Sequence, residues 1–348
     1  MKTYIKIFAV LLVILSVASC GKTEKSVEER IAQGEDIYVG LSIETATNPF
    51  YIAQAEYLRD AFGGIGVKLD YAVSEGDDLV MSGQIDAFAA SNTELIICAP
   101  PHEDAVAKAL TDAAAKGVEV VVMGRMPEYS DRLAGGTWFD WFEAGREMAK
   151  MASAWVSENY PNAAAGSIHA ANFMSDSQDI FLAQTSGLVQ GLADDPRISI
   201  TYNRNDVHTV EAGAESAESA LIYDPGIRLF FCYQDSGALG ISGFVTSNAD
   251  FDPTEYAAFS VGLQSTGRAA IEESKIDESI FRGAIAYGVY SESKQLTASE
   301  CIFIVARDIL FGKAPSSPWW MEMDRWAVTG FQYNYLYDSP ANDELLRR

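Results

Sequence analysis

A regular alternation of short apolar runs with helical patterns begins at residue 37 and limits the chain to a few architectures. The segment IYVGLSI (37–43) has the length and apolar content of a buried strand. Apolar residues from Tyr51 to Phe62 then recur at helical spacing, and Gly63 and Gly64 end the pattern. Because a strand that is followed by a helix pairs in parallel with the next strand, this order predicts right-handed βαβ units.

The alternation continues over both halves of the chain. Further strand-like runs are VKLDYAV (67–73), ELIICAP, VEVVVMG, AGSIHAA, ISITYN, RLFFCY, AAFSVGL and FRGAIAYGVY (281–290). Helical patterns cover 103–117, 141–160, 178–193, 210–223, 236–247 and 293–312. At 348 residues the chain can bury two cores of ordinary size, so two parallel sheets fit better than one very wide sheet. The sequence therefore predicts two Rossmann-like, three-layer α/β/α lobes.

The start of the chain has the pattern of an export signal. Lys2 and Lys6 precede the apolar stretch IFAVLLVILSVA, which is shorter than the roughly 20 apolar residues that span a bilayer. Small residues lead directly to Cys20, and a polar segment follows. This resembles a bacterial lipoprotein signal (1–20) in which Cys20 becomes the lipidated N-terminus; an ordinary secretory signal with an incidental cysteine is the alternative. We expect residues 21–35 to form a tether.

The charge and the reactive residues argue against several classes of protein. A formal net charge of −24 argues against nucleic-acid binding, because phosphate contacts need Lys and Arg. Cys98, Cys232 and Cys301 have no C-x-x-C spacing, and the three histidines are far apart, so neither a zinc site nor a redox pair is indicated. No nucleophile motif such as G-x-S-x-G occurs. We therefore expect no metal, no cofactor and no enzymatic activity.

Polar and aromatic residues follow the predicted strands, at the edge where ligands bind in open α/β sheets. Asn48, Pro49, Phe50 and Tyr51 come after the first strand, and Arg125 comes after the fourth. An aromatic ring offers an apolar plane to the C–H side of a sugar, and a guanidinium is a fork of donors for vicinal oxygens. The fixed φ of Pro49 stiffens the turn that carries the rings. These residue types fit a small polar ligand.

Two segments of the first half carry a resemblance to a known family. GLSIETATNPFYIAQAEYLRDAFGGIGVKLDYAV and ELIICAPPHEDAVAKALTDAAAKGVEVVVMGR resemble the N-terminal lobe of type I periplasmic binding proteins of the ribose and related sugar group. In that family two α/β lobes, joined by a hinge that the chain crosses three times, close on a small ligand. The resemblance implies a first lobe of 36–139 plus 288–314, a second lobe of 140–287 plus 315–335, and a tail of 336–348.

The resemblance also implies which residues bind the ligand. Asn48 matches the family's asparagine that binds ligand hydroxyls, Phe50 and Tyr51 match its stacking pair, and Arg125 matches the arginine after the fourth strand. Further matching positions are Gln184, Gln234, Gln264 and Tyr287. Trp141 begins the first helix of the second lobe, where contact with the cleft and packing at the hinge are both open readings.

Some of these positions depart from the family pattern. Gly124 stands where an Asp usually precedes the arginine, and Gln264 stands where a second Asp is expected. Gln184 or Gln234 replaces an expected Arg or Asn. Because carboxylates accept strongly from sugar hydroxyls, the amides extend the range of ligands to modified sugars, cyclic polyols and nucleosides.

These patterns lead to one main hypothesis about function. We expect a lipid-anchored solute-binding protein that faces the periplasm or the cell exterior and passes a sugar-like ligand to an ABC permease. It acts as a monomer and closes about its hinge when the ligand contacts both lobes. The alternatives are a sensory co-receptor on the same fold, and a binder of nucleosides or cyclic polyols in place of simple sugars.

Overall fold

Two sheets, each covered by helices, form the two lobes of the chain in a computed structural model. The structure describes residues 25–174, 178–205, 207–290, 294–339 and 342. The predicted signal and Cys20 lie outside the described residues. Among the residues that are described, no helix is long and apolar enough to span a membrane.

The first lobe is built on a six-stranded sheet in which every pairing is parallel. Its strands, in the spatial order β12-β5-β4-β3-β1-β2, are β1 Ile37–Ile43, β2 Val67–Val73, β3 Thr93–Cys98, β4 Glu119–Val122, β5 Gly135–Trp138 and β12 Trp319–Glu322. Its helices are α1 Val27–Ala32, α2 Pro49–Gly64, α3 Asp78–Ala90, α4 Glu103–Ala115 and α10 Ala298–Leu310. Strand β1 is almost wholly buried because helices cover both faces of the sheet.

The second lobe is built on an eight-stranded sheet in the order β14-β13-β10-β9-β8-β6-β7, with β11 paired to β10. Its strands are β6 Ile168–Phe173, β7 Ile198–Asn203, β8 Ile227–Cys232, β9 Ala257–Val261, β10 Phe281–Tyr290, β11 Gln295–Thr297, β13 Asp324–Thr329 and β14 Leu336–Tyr337. Its helices are α5 Trp141–Asn159, α6 Asp179–Leu192, α7 Val210–Tyr223, α8 Asp235–Ser247 and α9 Ser265–Glu273. Strands β6 to β10 pair in parallel, whereas β11, β13 and β14 are antiparallel additions. The predicted two-lobe α/β fold is confirmed.

The chain crosses between the lobes three times. It passes from β5 to α5 through Phe139 and Asp140, returns after β11 into α10, and passes from β12 to β13 through Met323. Two of these crossings lie side by side, because β10 and β13 pair in the second sheet and Gly288 is opposite Asp324. The hinge is therefore a bundle of neighbouring backbone segments.

The sheets divide the C-terminal part of the chain differently from the predicted boundaries. Residues 315–335 were expected in the second lobe, but β12 pairs with β5 in the first sheet. Residues 288–290 and β11 were expected in the first lobe, but they belong to the second sheet. An apolar run of four residues fits either sheet equally well, so only the partner strand decides its lobe.

The predicted tether contains a helix. Ser26 begins α1 with a capping box, in which its hydroxyl accepts from the N–H of Glu29 and the Glu29 carboxylate accepts from the N–H of Ser26. Val27 and Ile31 pack against the core, and Arg30 forms ion pairs with Glu35 and with Glu94 of the first lobe. The described part of the segment is thus docked on the lobe. The Ser-x-x-Glu pattern is the signal that the tether prediction overlooked.

Candidate ligand-binding cleft

A cavity of about 480 Å³ lies between the lobes, at the carboxyl ends of the parallel strands. Its volume falls within the range of about 300–1,000 Å³ that small-molecule sites occupy. Eight of the nine residues that the resemblance implies line it: Asn48, Phe50, Tyr51, Arg125, Trp141, Gln234, Gln264 and Tyr287. The folding of two separate sheets therefore brings together residues from six different parts of the sequence.

The turn after β1 is held by Asn48. This residue is the N-cap of α2, and its Oδ1 accepts from the N–H of Phe50 at 3.0 Å. Its Nδ2 donates across the cleft to Oε1 of Gln234 at 3.2 Å. Pro49 occupies the first turn of the helix, where its missing N–H costs nothing. One short side chain thus fixes the helix start and contacts the opposite lobe.

The rings of Phe50 and Tyr51 form one wall of the cavity. They pack edge to face, with centroids 5.4 Å apart and an interplanar angle of 71°. Phe50 is half-buried and Tyr51 is buried. The Tyr51 hydroxyl bonds to the Glu44 carboxylate; burial raises the pKa of Tyr51 well above its usual value, and the charge on Glu44 adds to the shift. Tyr51 is therefore neutral and held in place by a carboxylate behind it.

Arg125 is a buried guanidinium at the end of β4. The side chain is 7% exposed; its Nη1 donates to the Pro101 carbonyl at 3.3 Å and lies 3.7 Å from Oδ2 of Asp179. Its Nε has no hydrogen-bond partner in the described part of the chain. Gly124 precedes it with φ +78°, a conformation that L side chains rarely adopt. The cavity therefore contains a fixed cation with an unused donor.

Trp141 lines the cavity and also packs at the hinge, so the two interpretations of its position in the sequence are compatible. Its Nε1 donates to the Gly124 carbonyl at 2.7 Å, which ties α5 to the end of β4. Its ring is in edge contact with Phe139 and Tyr287, at centroid distances of 4.7 Å and 5.2 Å. Burial raises the pKa of the Tyr287 phenol, and the Asp235 carboxylate contributes to the shift. The floor of the cavity near the hinge is thus aromatic and neutral.

The wall from the second lobe contains two amides and one carboxylate. Nε2 of Gln234 donates to the His208 carbonyl at 2.7 Å, which leaves its Oε1 to accept from Asn48. Asp235 also lines the cavity, and its Oδ2 accepts from the N–H of Gln264 at 2.6 Å. Burial raises the pKa of Asp235, against the effect of these backbone hydrogen bonds. This wall therefore has a carboxylate at position 235, although positions 124 and 264 lack one.

Gln184 does not line the cavity. It is fully buried in α6, and a Cβ on Gly145 of α5 would lie 2.1 Å from the Gln184 carbonyl oxygen. Helix α6 thus packs tightly on α5 at this position, five residues from the start of α6 at the cavity. Both amide atoms of Gln184 lack a partner among the described residues. The first turn of α6 reaches the cavity instead, through Ile180 and Phe181.

Direct contacts hold the two lobes together across the cleft. One is the hydrogen bond between Asn48 and Gln234. In a second, the Asp179 carboxylate on α6 accepts from the N–H of Glu103 at 3.2 Å. The Gln178 amide donates to the Glu44 carboxylate. Burial raises the pKa of Glu44, while the Tyr51 hydroxyl and the charge on Arg125 act in the opposite direction. The structure therefore describes a closed arrangement of the lobes.

Several cavity residues were not anticipated from the sequence. Gln54 and Tyr57 follow Phe50 at intervals of four and three residues, so helical spacing on one face was the available signal. Asp235 is adjacent to Gln234, so the pattern of polar residues after the strands includes it, although the family resemblance did not mark it as ligand-binding. Trp326 comes from β13 beside the third crossing and had no local signal.

The fold, the hinge and the interlobe cavity together define a two-lobed solute-binding protein. Residues 39–291 match the family described as Periplasmic binding protein domain. The chain belongs to this family. Its members are substrate-binding transport proteins, not enzymes, and the family implies an extracytoplasmic location. The described residues hold no group of three His, Cys, Asp or Glu side chains that could bind a metal ion.

Similar proteins support the same class. The ribose import binding protein RbsB of Bacillus subtilis (strain 168) is 22% identical over 222 residues, which cover 62% of this chain and 67% of that protein. An ABC transporter solute-binding protein from Burkholderia graminis C4D1M, in complex with D-arabinose, matches with a TM-score of 0.69 at 14% identity, over 86% of this chain and 98% of that chain. The Caulobacter myo-inositol binding protein, bound to myo-inositol, matches with a TM-score of 0.67 at 18% identity, over 89% of this chain and 96% of that chain.

Proposed function

We propose that this protein binds a sugar or a cyclic polyol between its lobes and delivers it to an ABC importer. The observation that supports this most is the composition of the cavity: Phe50 and Tyr51 come from the first lobe, and Gln234 and Tyr287 come from the second. Aromatic rings suit the C–H faces of a sugar, and amide and guanidinium groups suit its hydroxyls. The relation to a ribose import binding protein favours transport over sensing.

Hinge closure explains how such a site works. A ligand that contacts both lobes has more interactions in the closed state than in the open state, so it shifts the equilibrium towards closure. Asn48 and Gln234, which bond to each other across the cleft, are placed to exchange that contact for ligand hydroxyls. The permease then recognises the closed shape, in which the two lobes present one continuous surface.

We expect one class of sugar or polyol to raise the melting temperature of the protein in a thermal-shift screen. The probes are D-ribose, D-arabinose, D-galactose, D-glucose and myo-inositol, with adenosine and free amino acids as comparison classes. A ligand at about 100 times its Kd stabilises the native state by about 2.7 kcal/mol. Isothermal titration then gives the Kd. If only amino acids raise the melting temperature, the proposed ligand class is wrong.

We further propose that Cys20 carries the lipid that anchors the protein, which acts as a monomer. The support is the sequence pattern: an apolar stretch, small residues and then Cys20. In bacteria fed with radiolabelled palmitate, the protein should take up label, and Cys20→Ser should abolish the labelling. Cys98→Ser is the matched control, because that thiol is buried and its pKa is raised to about 12 by burial. Equal labelling of wild type and Cys20→Ser would exclude the anchor.

A further inference from the structure

The cavity is longer than the part that the predicted residues occupy. Phe50, Gln54 and Tyr57 all line it, and they lie on one face of α2 at intervals of four and three residues. Seven residues of helix correspond to about 10 Å along the axis. We call the part of the cavity at Phe50 and Arg125 the inner pocket; the lining on α2 continues from there to Tyr57, which is 37% exposed. The cavity therefore extends from a buried pocket to the surface along two turns of α2.

The outer part has its own walls. Leu296 of β11 and Ala298, which begins α10, line it together with Met323 of the third crossing and Trp326 of β13. The Trp326 ring packs on Tyr290 with centroids 5.3 Å apart. The Tyr57 ring is held edge-on against Phe303 of α10 at 6.4 Å. These side chains are mainly apolar and pack against their neighbours, so they form an apolar part of the same cavity. We call this part, defined by Gln54, Tyr57, Leu296, Met323 and Trp326, the outer subsite.

Two polar atoms of the outer subsite lack a partner in the part of the chain that the structure describes. They are Oε1 of Gln54, whose side chain is 2% exposed, and Nε1 of Trp326, whose side chain is 8% exposed. A buried polar atom without a hydrogen bond costs about 1–3 kcal/mol. One of these atoms is an acceptor and the other is a donor. The lining of the outer subsite therefore has an unsatisfied acceptor and an unsatisfied donor.

The size of the cavity also exceeds one sugar ring. A volume of 480 Å³ corresponds to roughly 16 water molecules at about 30 Å³ each. A monosaccharide that is held by Phe50 and Arg125 would therefore not fill the cavity. Gln295, Thr297 and Ser299 also line the cavity, but a hydroxyl-rich group would find few partners against Leu296, Ala298 and Met323 themselves. A mainly apolar ring suits that side of the wall better.

We propose that the outer subsite binds a second ring, so that the ligand is a sugar with a flat, largely apolar ring joined to its anomeric carbon. This inference rests on the proposed function, because it requires the sugar ring in the inner pocket. The second ring packs against Trp326 and Tyr57 and carries at least one polar group for Gln54. Aryl glycosides and nucleosides share this chemistry, and disaccharides provide the contrasting case of a hydroxyl-rich second ring.

Titration calorimetry with matched probes tests this inference. For ribose, arabinose, galactose and glucose, the free sugar is compared with its methyl glycoside and phenyl glycoside; adenosine and lactose complete the set. We expect a two-ring probe to bind at least tenfold more tightly than the methyl glycoside of the same sugar. If a phenyl glycoside binds most tightly, the second ring is an aryl group. If adenosine binds most tightly, it is a base, and if lactose does, it is a second sugar. If lactose binds most tightly, the proposal of a flat, apolar second ring is wrong.

Gln54→Leu provides the matched variant. It removes the unpaired amide and keeps the approximate size of the side chain, so the fold is preserved. We expect it to lower the affinity for the two-ring probe about tenfold more than the affinity for the methyl glycoside. Gln190→Leu is the control, because it makes the same change at an exposed position on α6 away from the cavity. Gln190→Leu should leave both affinities as in the wild type.

The outcomes separate this inference from the proposed function. If free sugars bind and every two-ring probe binds more weakly, the outer subsite is disproved and the proposed function stands. If Gln54→Leu weakens both probes equally, Gln54 serves the inner pocket and the inference is also wrong. If no sugar of either size binds, both proposals fail.

Discussion

Replacing Arg125 with alanine is expected to weaken binding of the responsive sugar by about 100-fold. The guanidinium is buried and already held by the Pro101 carbonyl, and Arg125 lines the cavity. Its Nε donor has no partner among the residues that the structure describes. A hydrogen bond from a charged donor contributes about 1.5–3 kcal/mol, and about 2.7 kcal/mol corresponds to 100-fold in Kd. Isothermal titration with the sugar from the thermal-shift screen measures the change.

Two further variants separate the role of the planar guanidinium of Arg125 from the role of its charge. Arg125→Lys keeps the charge but loses the planar arrangement of donors, so we expect a loss of about tenfold. Arg59→Ala removes an exposed arginine of α2 that does not line the cavity, and it should leave the Kd unchanged. The melting temperatures of the unliganded variants show whether each still folds. A Kd within threefold of the wild type for a folded Arg125→Ala would remove Arg125 from the site.

The second large effect is expected at Asp324, where the hinge and the C-terminal segment meet. This side chain is fully buried; its Oδ2 accepts from the N–H of Tyr290 at 2.7 Å. Its Oδ1 accepts from the N–H of Ser339 at 2.7 Å and from Nδ2 of Asn342 at 2.8 Å. One carboxylate therefore joins the end of β10, the start of β13 and the segment that follows β14.

Asp324→Ala should lower the free energy of unfolding by about 3 kcal/mol. The substitution leaves the N–H groups of Tyr290 and Ser339 buried without an acceptor, and each such group costs about 1–3 kcal/mol. Urea denaturation, followed by tryptophan fluorescence, measures the change. Asp338→Ala is the matched control because Asp338 is exposed beside the same segment, and it should change the value by less than about 0.5 kcal/mol. Equal midpoints for the two variants would mean that Asp324 does not brace the hinge.

Local patterns in the sequence predicted most of the fold and of the first-lobe wall of the site. The apolar runs and helical spacings that predicted parallel βαβ units correspond to β1 to β4 and to the helices between them. Asn48, Phe50 and Tyr51 were found because a parallel strand ends directly before them. Strand β5 was missed, because Gly135 and Gly136 have no strand propensity and depend on β4 and β12 for pairing.

The residues that the sequence placed wrongly, or did not find, are those whose position depends on contacts distant along the chain. Gln184 and Gln234 carry the same amide, yet packing of α6 on α5 buries the first, and the end of β8 turns the second into the cleft. Trp326 reaches the cavity only because β13 returns beside β10. Side-chain periodicity sets which face of an element is apolar, and it is a property of neighbouring residues. Which elements then lie opposite each other is set by sheet pairing and helix packing over the whole chain, so the class of protein was evident from local pattern while the full shape of its cavity was not.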